Sequence, residues 1–445
     1  MDDAGTTADA GSPLLRRILS LRSRAFPQRD GHPRAKDVLR LCRALLSVRG
    51  EVSGARVGSE IIAAYTALDA PARDAFLDLL AGAFLPDPEQ AACAAEAYRA
   101  APSPGTLLTL QAAAEPLRQE LFRRLNLAPG GTGALIEMRR HLLATLRDHP
   151  GRAALDADLA HLFRSWFNGG FLVLRRIDWR TSAVVLERLI QHEAVHQIQG
   201  WDDLRRRLEA DRRCYAFFHA ALPDEPLIFI EVALTERMSA GVRPLLDPNA
   251  RVLDPARARC AIFYSITHCQ EGLRGVSFGS LLIKQVVEDL QRGFPRVKTY
   301  ATLSPIPDFR KWLATVRATP DAPPRQAALD AFLARFDARA TVLTDAVPAE
   351  VRAALLRLCA HYLLHARQGQ APFDTVARFH LANGDRLERL NWLADPSAAG
   401  IRRSFGLMAN YLYRLDDVEA NHEAYAHAHQ VIASREIERL AKRAG

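Results

Sequence analysis

The run RCAIFYSITHCQEGLRGVSFGSLLIKQVVEDLQRGFP (259–295) constrains the fold more than any other part of the chain. A nearly continuous apolar strand ends at His268, and glycines follow at Gly272, Gly275 and Gly279. An amphipathic helix begins at once, with Leu281, Leu282, Val286, Val287 and Leu290 repeating at helical spacing. A strand, a glycine turn and a helix N-terminus form a phosphate cradle. Glycine lets backbone N–H groups approach an anion, and the helix dipole favours negative charge. The spacing is not that of the GxGxxG dinucleotide fingerprint. A purely structural turn would also use glycine here, so the string alone leaves both readings open.

The two sides of this unit differ in texture. Up to about residue 165 the chain reads as helix after helix: RAKDVLRLCRALLSVR, GSEIIAAYTAL, APARDAFLDLLAGAF, EQAACAAEAYRA and PGTLLTLQAAAEPLRQELFRRLNL. Breakers separate them at Gly58, Pro71, Pro86-Asp87-Pro88 and Pro102–Gly105, and APGGTG (128–133) reads as a helix–helix turn. From WFNGGFLVLRRIDW (166–179) onward, strand candidates alternate with helices. The strands are expected at 213–220, 225–235, 259–268, 297–304 and 374–383, and the helices at 279–292, 308–317, 325–336 and 347–366. The expectation is an α+β protein: an all-helical domain over 1–165, then a mixed α/β domain over 166–445.

Composition narrows the function classes. Six scattered cysteines with no CxxC pair argue against a zinc ribbon and a disulfide framework. No apolar run is long enough to span a bilayer, and MDDAGTTADAGSP lacks an apolar signal core, so the expected compartment is the cytoplasm, with no membrane partner. The net charge of +8 is spread along the chain and aromatics are 7%, without the concentrated basic stripe that nucleic-acid binding wants, and a polyphosphate-bearing small molecule explains the balance at least as well.

Several strings then carry a resemblance. FYSITHCQEGLRGVSFGSLLIK, TLSPIPDFRKWL, RRCYAFFH, APGGTGALIEMRRHLL and VARFHLANGDRLERLNWLADPSAAGIRRSFGLMANYLY together resemble the malonyl-CoA decarboxylase family, from about residue 85 to 425. The resemblance implies a helical domain followed by a catalytic domain like that of GCN5-related N-acetyltransferases. In that fold the glycine loop and helix hold coenzyme A, and the next strand splays away to admit the thioester arm. It implies conversion of malonyl-CoA to acetyl-CoA and CO₂ without metal or other cofactor, in a homo-oligomer such as a tetramer. It places catalytic roles on Ser304 of the SPIP segment, His380 of FHLxNG and Tyr413 after MAN. The CoA phosphates fall to Gly272, Arg274, Gly275, Val276, Ser277, Phe278, Gly279 and Ser280. Ser277 stands where the family often has glutamate, so that carboxylate's role is missing here.

Residue chemistry agrees with little machinery. Loss of CO₂ puts electrons on the thioester carbonyl, and the enolate must be stabilised and then protonated at carbon, which suits a histidine acid. We expect Ser304 to hold the carboxylate and His380 to donate the proton, in roles that could be exchanged. A CoA-dependent acyltransferase on the same scaffold is the alternative. A serine hydrolase using Ser304, His380 and Asp395 is disfavoured by the absence of a GxSxG elbow. HEAVH (192–196) matches the HExxH zinc pattern, but the metzincin continuation fails, with Gly200 one residue late and Asp202 in the third-ligand position. His192 and His196 are expected to be surface and packing residues.

Overall fold

The computed structural model describes residues 34–276, 278, 281–317, 327–339 and 347–442. It divides into two compact units: the residues up to Trp166 together with Glu271–Val276, and Phe167–Gln270 together with Ser277–Gly445.

The first unit is helical. Its helices are Ala35–Ser47, Glu51–Thr66, Ala70–Gly82, Pro88–Ala100, Pro104–Ala114, Leu117–Asn126, Gly131–Thr145 and Ala153–Trp166. Asp69, Asp87 and Ser103 cap three of them through their side chains, each ahead of a proline in the first turn. Gly58 is not the breaker that its identity suggested. It lies inside Glu51–Thr66, where a Cβ would come within 2.8 Å of the Ala128 Cβ, so close packing explains it. APGGTG does form the expected turn, with Gly130 at φ +74°. Gly272 also belongs to this unit. A Cβ there would stand 2.0 Å from the Ile136 carbonyl oxygen, and Arg139 Nη1 donates to the carbonyls of Gly272 (2.7 Å) and Arg274 (2.9 Å).

The second unit is built on one mixed sheet. Its strands are β1 (Leu172–Ile177), β2 (Arg212–His219), β3 (Ile228–Thr235), β4 (Cys260–His268), β5 (Thr299–Thr302) and β6 (Ser304–Pro305). The short hairpin β7 (Arg367–Gln368) with β8 (Ala371–Pro372) stands apart, and β9 (Arg386–Asn391) and β10 (Met408–Tyr413) complete the sheet. β1 to β4 are antiparallel in sequence order. β4 and β5 are parallel, joined through the helix Leu281–Gly293, as the strand–glycine–helix–strand unit requires. β5 and β6 then lie along one edge of β10 in one register, with Tyr300 opposite Tyr413 and Ser304 opposite Ala409.

One expected strand is a helix. The alternation in 374–383 suggested a strand, yet Thr375–Ala382 is helical. Asp374 caps it, accepting from the amides of Val376 (3.0 Å) and Ala377 (2.9 Å) and from the Tyr362 hydroxyl (3.1 Å). Ala377, His380 and Leu381 form its buried side, at the three- and four-residue spacing of a helix face.

Candidate active site

The parallel ladder between β4 and β5 stops early. It runs from Cys260 opposite Thr299 to Phe263 opposite Thr302, and the Leu303 amide closes it with a 2.8 Å bond to the Phe263 carbonyl. Beyond that point β4 continues to His268 paired only with β3, while β6 follows β10. The two chains part, and a cavity of about 270 Å³ fills the opening. Tyr264, Ser265, Ile266 and His268 line one wall, and Leu303, Ser304 and Pro305 line the other. Thr375, Val376, Phe379 and His380 close it from the helix.

Ser304 and His380 meet at this cavity. Ser304 Oγ lies 2.8 Å from His380 Nε2 and 2.9 Å from Thr302 Oγ1. Thr302 is fixed in turn, because its Oγ1 accepts from the Tyr411 amide (3.2 Å) and its carbonyl from Asn410 Nδ2 (2.7 Å). Pairing with β10 therefore sets the backbone that carries the serine, and Pro305 and Pro307 stiffen the chain just beyond it.

On the histidine side, the helix ends in a tight turn. Gly384 takes φ +80°, its amide donates to the Leu381 carbonyl (3.0 Å), and the Asp385 amide donates to the His380 carbonyl (3.1 Å). The turn brings Asp385 Oδ2 to 3.0 Å from His380 Nδ1. Tyr411 stacks on the imidazole, with centroids 4.5 Å apart and planes at 22°. Ser304, His380 and Asp385 are all buried, Asp385 to 1% exposure. Burial pushes the Asp385 carboxyl up, and the hydrogen bond and charge of His380 pull it back.

The remaining expected residues are distributed otherwise. Tyr413 does not line this cavity. It stands two residues along β10 from Tyr411, facing a separate cavity of about 580 Å³ with Lys298, Tyr300 and Arg414. Burial raises its phenol, and the charges of Asp385, Glu288 and Glu419 add to that. Asp395 does not meet His380. Its Oδ1 accepts from the Ser397 amide (3.0 Å). In the glycine loop, the amides of Arg274 and Val276 already donate to the carbonyls of Glu271 and Leu273. Gly275 has φ +77° and open space about it, and Phe278 is buried and stacks on His268. Ser277, Gly279 and Ser280 lie outside the described residues.

HEAVH does not form the geometry of a zinc helix. The helix Ala183–His192 stops at the first histidine, so His196 is not one turn on from it. Glu193 turns inward and is buried. Its carboxylate accepts from the amides of Val195 and His196 (2.7 Å each) and from the Ser265 hydroxyl (2.8 Å). No group of three or more potential metal ligands occurs among the described residues. Sequence reasoning missed Asp385, Thr302 and Tyr411. The signal for Asp385 was the Asn-Gly turn directly before it.

Known proteins resemble this chain along most of its length. A family model described as malonyl-CoA decarboxylase C-terminal domain matches residues 170–445, and one described as its N-terminal domain matches 84–167. The mitochondrial malonyl-CoA decarboxylase of Anser anser anser is 34% identical over 346 residues, covering 72% of this chain and 69% of that protein. Its counterpart from Mus musculus is 33% identical over 356 residues, covering 74% and 72%. The crystal structure of malonyl-CoA decarboxylase from Rhodopseudomonas palustris is 48% identical with a TM-score of 0.87, covering 91% of this chain and 99% of that one. The one from Cupriavidus metallidurans is 36% identical with a TM-score of 0.71, over the same shares.

Proposed function

This chain belongs to the malonyl-CoA decarboxylase family, and we propose that it converts malonyl-CoA to acetyl-CoA and CO₂ with Ser304 and His380 as the acting pair. The observation that carries the reading is the 2.8 Å contact between Ser304 Oγ and His380 Nε2, buried at a cavity where β4 and β5 part.

The serine hydroxyl has one proton and two acceptors in reach, Thr302 Oγ1 and His380 Nε2. When the imidazole is charged, Nε2–H donates to Ser304 and the hydroxyl turns to Thr302. When it is neutral, the hydroxyl donates to Nε2. In the proposed reaction Ser304 holds the malonyl carboxylate in a largely apolar cavity. The C–C bond breaks, CO₂ leaves, and the electron pair moves onto the thioester carbonyl as an enolate. His380 then delivers its Nε2 proton to the α-carbon, giving the methyl group of acetyl-CoA, and is recharged from water. The thioester is itself the electron sink, so the step asks for no further cofactor. A preorganised donor aimed at a developing oxyanion is typically worth about 10²–10³ in rate.

The reading keeps the CoA phosphates with the string Gly272–Ser280 and gives Tyr413 an outlying role near the site. It also carries a cytoplasmic homo-oligomer serving fatty-acid metabolism, which cell fractionation and light scattering test. No described helix is long and apolar enough to cross a membrane. The deciding experiment incubates the protein with malonyl-CoA in EDTA and follows acetyl-CoA and CO₂, beside Ser304→Ala and His380→Asn of unchanged fold. Turnover by the wild type, lost in both variants, supports the assignment. No turnover, or turnover abolished by the chelator, overturns it. Turnover only when an amine acceptor is supplied would transfer the chain to the acyltransferases.

A further inference from the structure

The resemblance assigns Ser304, His380 and Tyr413, and the structure adds a further group behind the Ser304–His380 pair. Asp385 sits five residues beyond His380, outside the helix, and the turn through Gly384 folds its carboxylate back onto Nδ1 at 3.0 Å. We propose that Asp385 is the positioning residue of this site, holding His380 as the Nδ1–H tautomer so that Nε2 alone exchanges the proton with Ser304 and the substrate. This rests on the decarboxylase reading and adds to it the group that keeps Nε2, the nitrogen facing the cavity, as the one that carries the exchanged proton.

Three features of the geometry support it. The imidazole is held on both nitrogens at once, Nδ1 by Asp385 and Nε2 by Ser304, which are the two contacts that define a tautomer. Its plane is held by Tyr411 on one face, so the ring cannot flip without leaving the stack. Asp385 itself has little else to do. Its Oδ2 faces His380, while its Oδ1 is buried with no hydrogen-bond partner in the described structure. A buried carboxylate with an idle oxygen is costly to keep, and a neighbouring imidazolium offsets that cost. The other titratable groups that sense it are the phenols of Tyr411 and Tyr413, for both of which its charge raises the cost of ionisation.

The test compares wild type with Asp385→Asn, which keeps the shape but lets an amide N–H point at Nδ1 and so favours the opposite tautomer. Two readouts are taken: steady-state kinetics with malonyl-CoA, and the ¹⁵N shifts of labelled imidazoles, with His380 assigned by its absence in His380→Asn. The expected result is a wild-type His380 protonated at Nδ1 when neutral and a reversed pattern in Asp385→Asn. With it, kcat should fall at least ~10²-fold at a KM changed only a few-fold; the same substitution in the serine-protease triad costs about 10⁴. A wild-type imidazole protonated at Nε2 overturns the proposal, as does a kcat within about threefold of wild type. Lost activity with an unchanged tautomer also overturns it, since that is what mere destabilisation gives. Should Asp385→Asn not fold, the wild-type tautomer alone decides. Should Ser304→Ala and His380→Asn retain turnover, the decarboxylase reading falls, while the tautomer measurement still judges Asp385.

Discussion

Gly384→Ala is the perturbation that ties the fold to the site most directly. Gly384 has φ +80°, and a Cβ built there lies 2.1 Å from the Val418 carbonyl oxygen and 2.9 Å from its carbonyl carbon. Two costs arise. Placing an L-residue in the left-handed region costs about 1–2 kcal/mol, and overlap in a packed interior typically adds about 1–3 kcal/mol. Val418 opens the helix Val418–Ala428, so the carbonyl cannot withdraw without moving a turn of helix. The stiffer unfolded chain returns about 0.4–1 kcal/mol, leaving a net destabilisation of roughly 1–5 kcal/mol. A control isolates the overlap: Gly369 has φ +65° but nothing within 4 Å of its Cβ position, so Gly369→Ala carries only the conformational part. The assay is urea unfolding of both variants, with hydrogen exchange reporting the segment 375–391, and kcat measured on folded protein. Gly384→Ala should be the less stable by the overlap cost and should lose activity, because any shift of the turn carries Asp385 away from His380. Equal stability of the two variants, with Gly384→Ala at full kcat, would refute the argument that this turn is what places the carboxylate.

Two further outcomes are expected from the HEAVH segment. Glu193→Ala strips the acceptor from the amides of Val195 and His196 and from the Ser265 hydroxyl, and leaving such buried donors unpaired costs about 1–3 kcal/mol each at most. It should therefore lower the unfolding midpoint, and turnover of the residual folded enzyme should stay indifferent to chelators; metal-dependent turnover would restore the zinc reading. His196 supplies a pH dependence. Burial depresses its pKa from 6.5 to about 4, with Arg207 and Arg403 helping and Asp395 opposing. The unfolded chain thus takes up a proton that the folded one resists, so stability is complete above pH 6.5 and is lost as pH falls toward 4. At about 1.4 kcal/mol per pH unit this approaches roughly 3 kcal/mol. His196→Gln should flatten that slope in urea unfolding at pH 7, 5.5 and 4.5, and an unchanged slope would contradict it.

Much of the architecture was legible because periodicity reports burial. The nearly continuous apolar run ending at His268 reads as a strand, and the leucines and valines after Gly279 repeat at helical spacing; both elements form. The failures come where two periods coincide over a few residues. In DTVARFHLAN, apolar Ala377, Phe379 and Leu381 alternate with polar Arg378 and His380 as a strand would, yet the buried set is Ala377, His380 and Leu381. Eight residues are too few for periodicity to separate the two, but the ends were informative: Asp374 is a capping residue and Asn383-Gly384 a helix stop. Reading the caps would have given the helix. Gly58 fails in the opposite direction, since a glycine inside a helix signals a neighbour's approach, and that neighbour, Ala128, is 70 positions away.

The same distinction separates the two candidate aspartates. Asp395 follows His380 at a distance in sequence that any triad on an unknown fold could use, and Asp385 played no part in the sequence reading. Along a strand, residues five apart sit far from one another. Once Thr375–Ala382 is a helix, the chain after it reverses, and the residue just past a left-handed glycine returns to the last turn, where His380 already sits. The proximity of Asp385 in sequence then becomes the reason it can reach Nδ1. Ser304 needed no such inversion, because its partner strand β10 lies a hundred residues on and only the sheet joins them. Local grammar thus fixes the histidine side of the pair and tertiary pairing fixes the serine side. Helix-end substitutions should accordingly disturb the His380 tautomer before they disturb the position of Ser304.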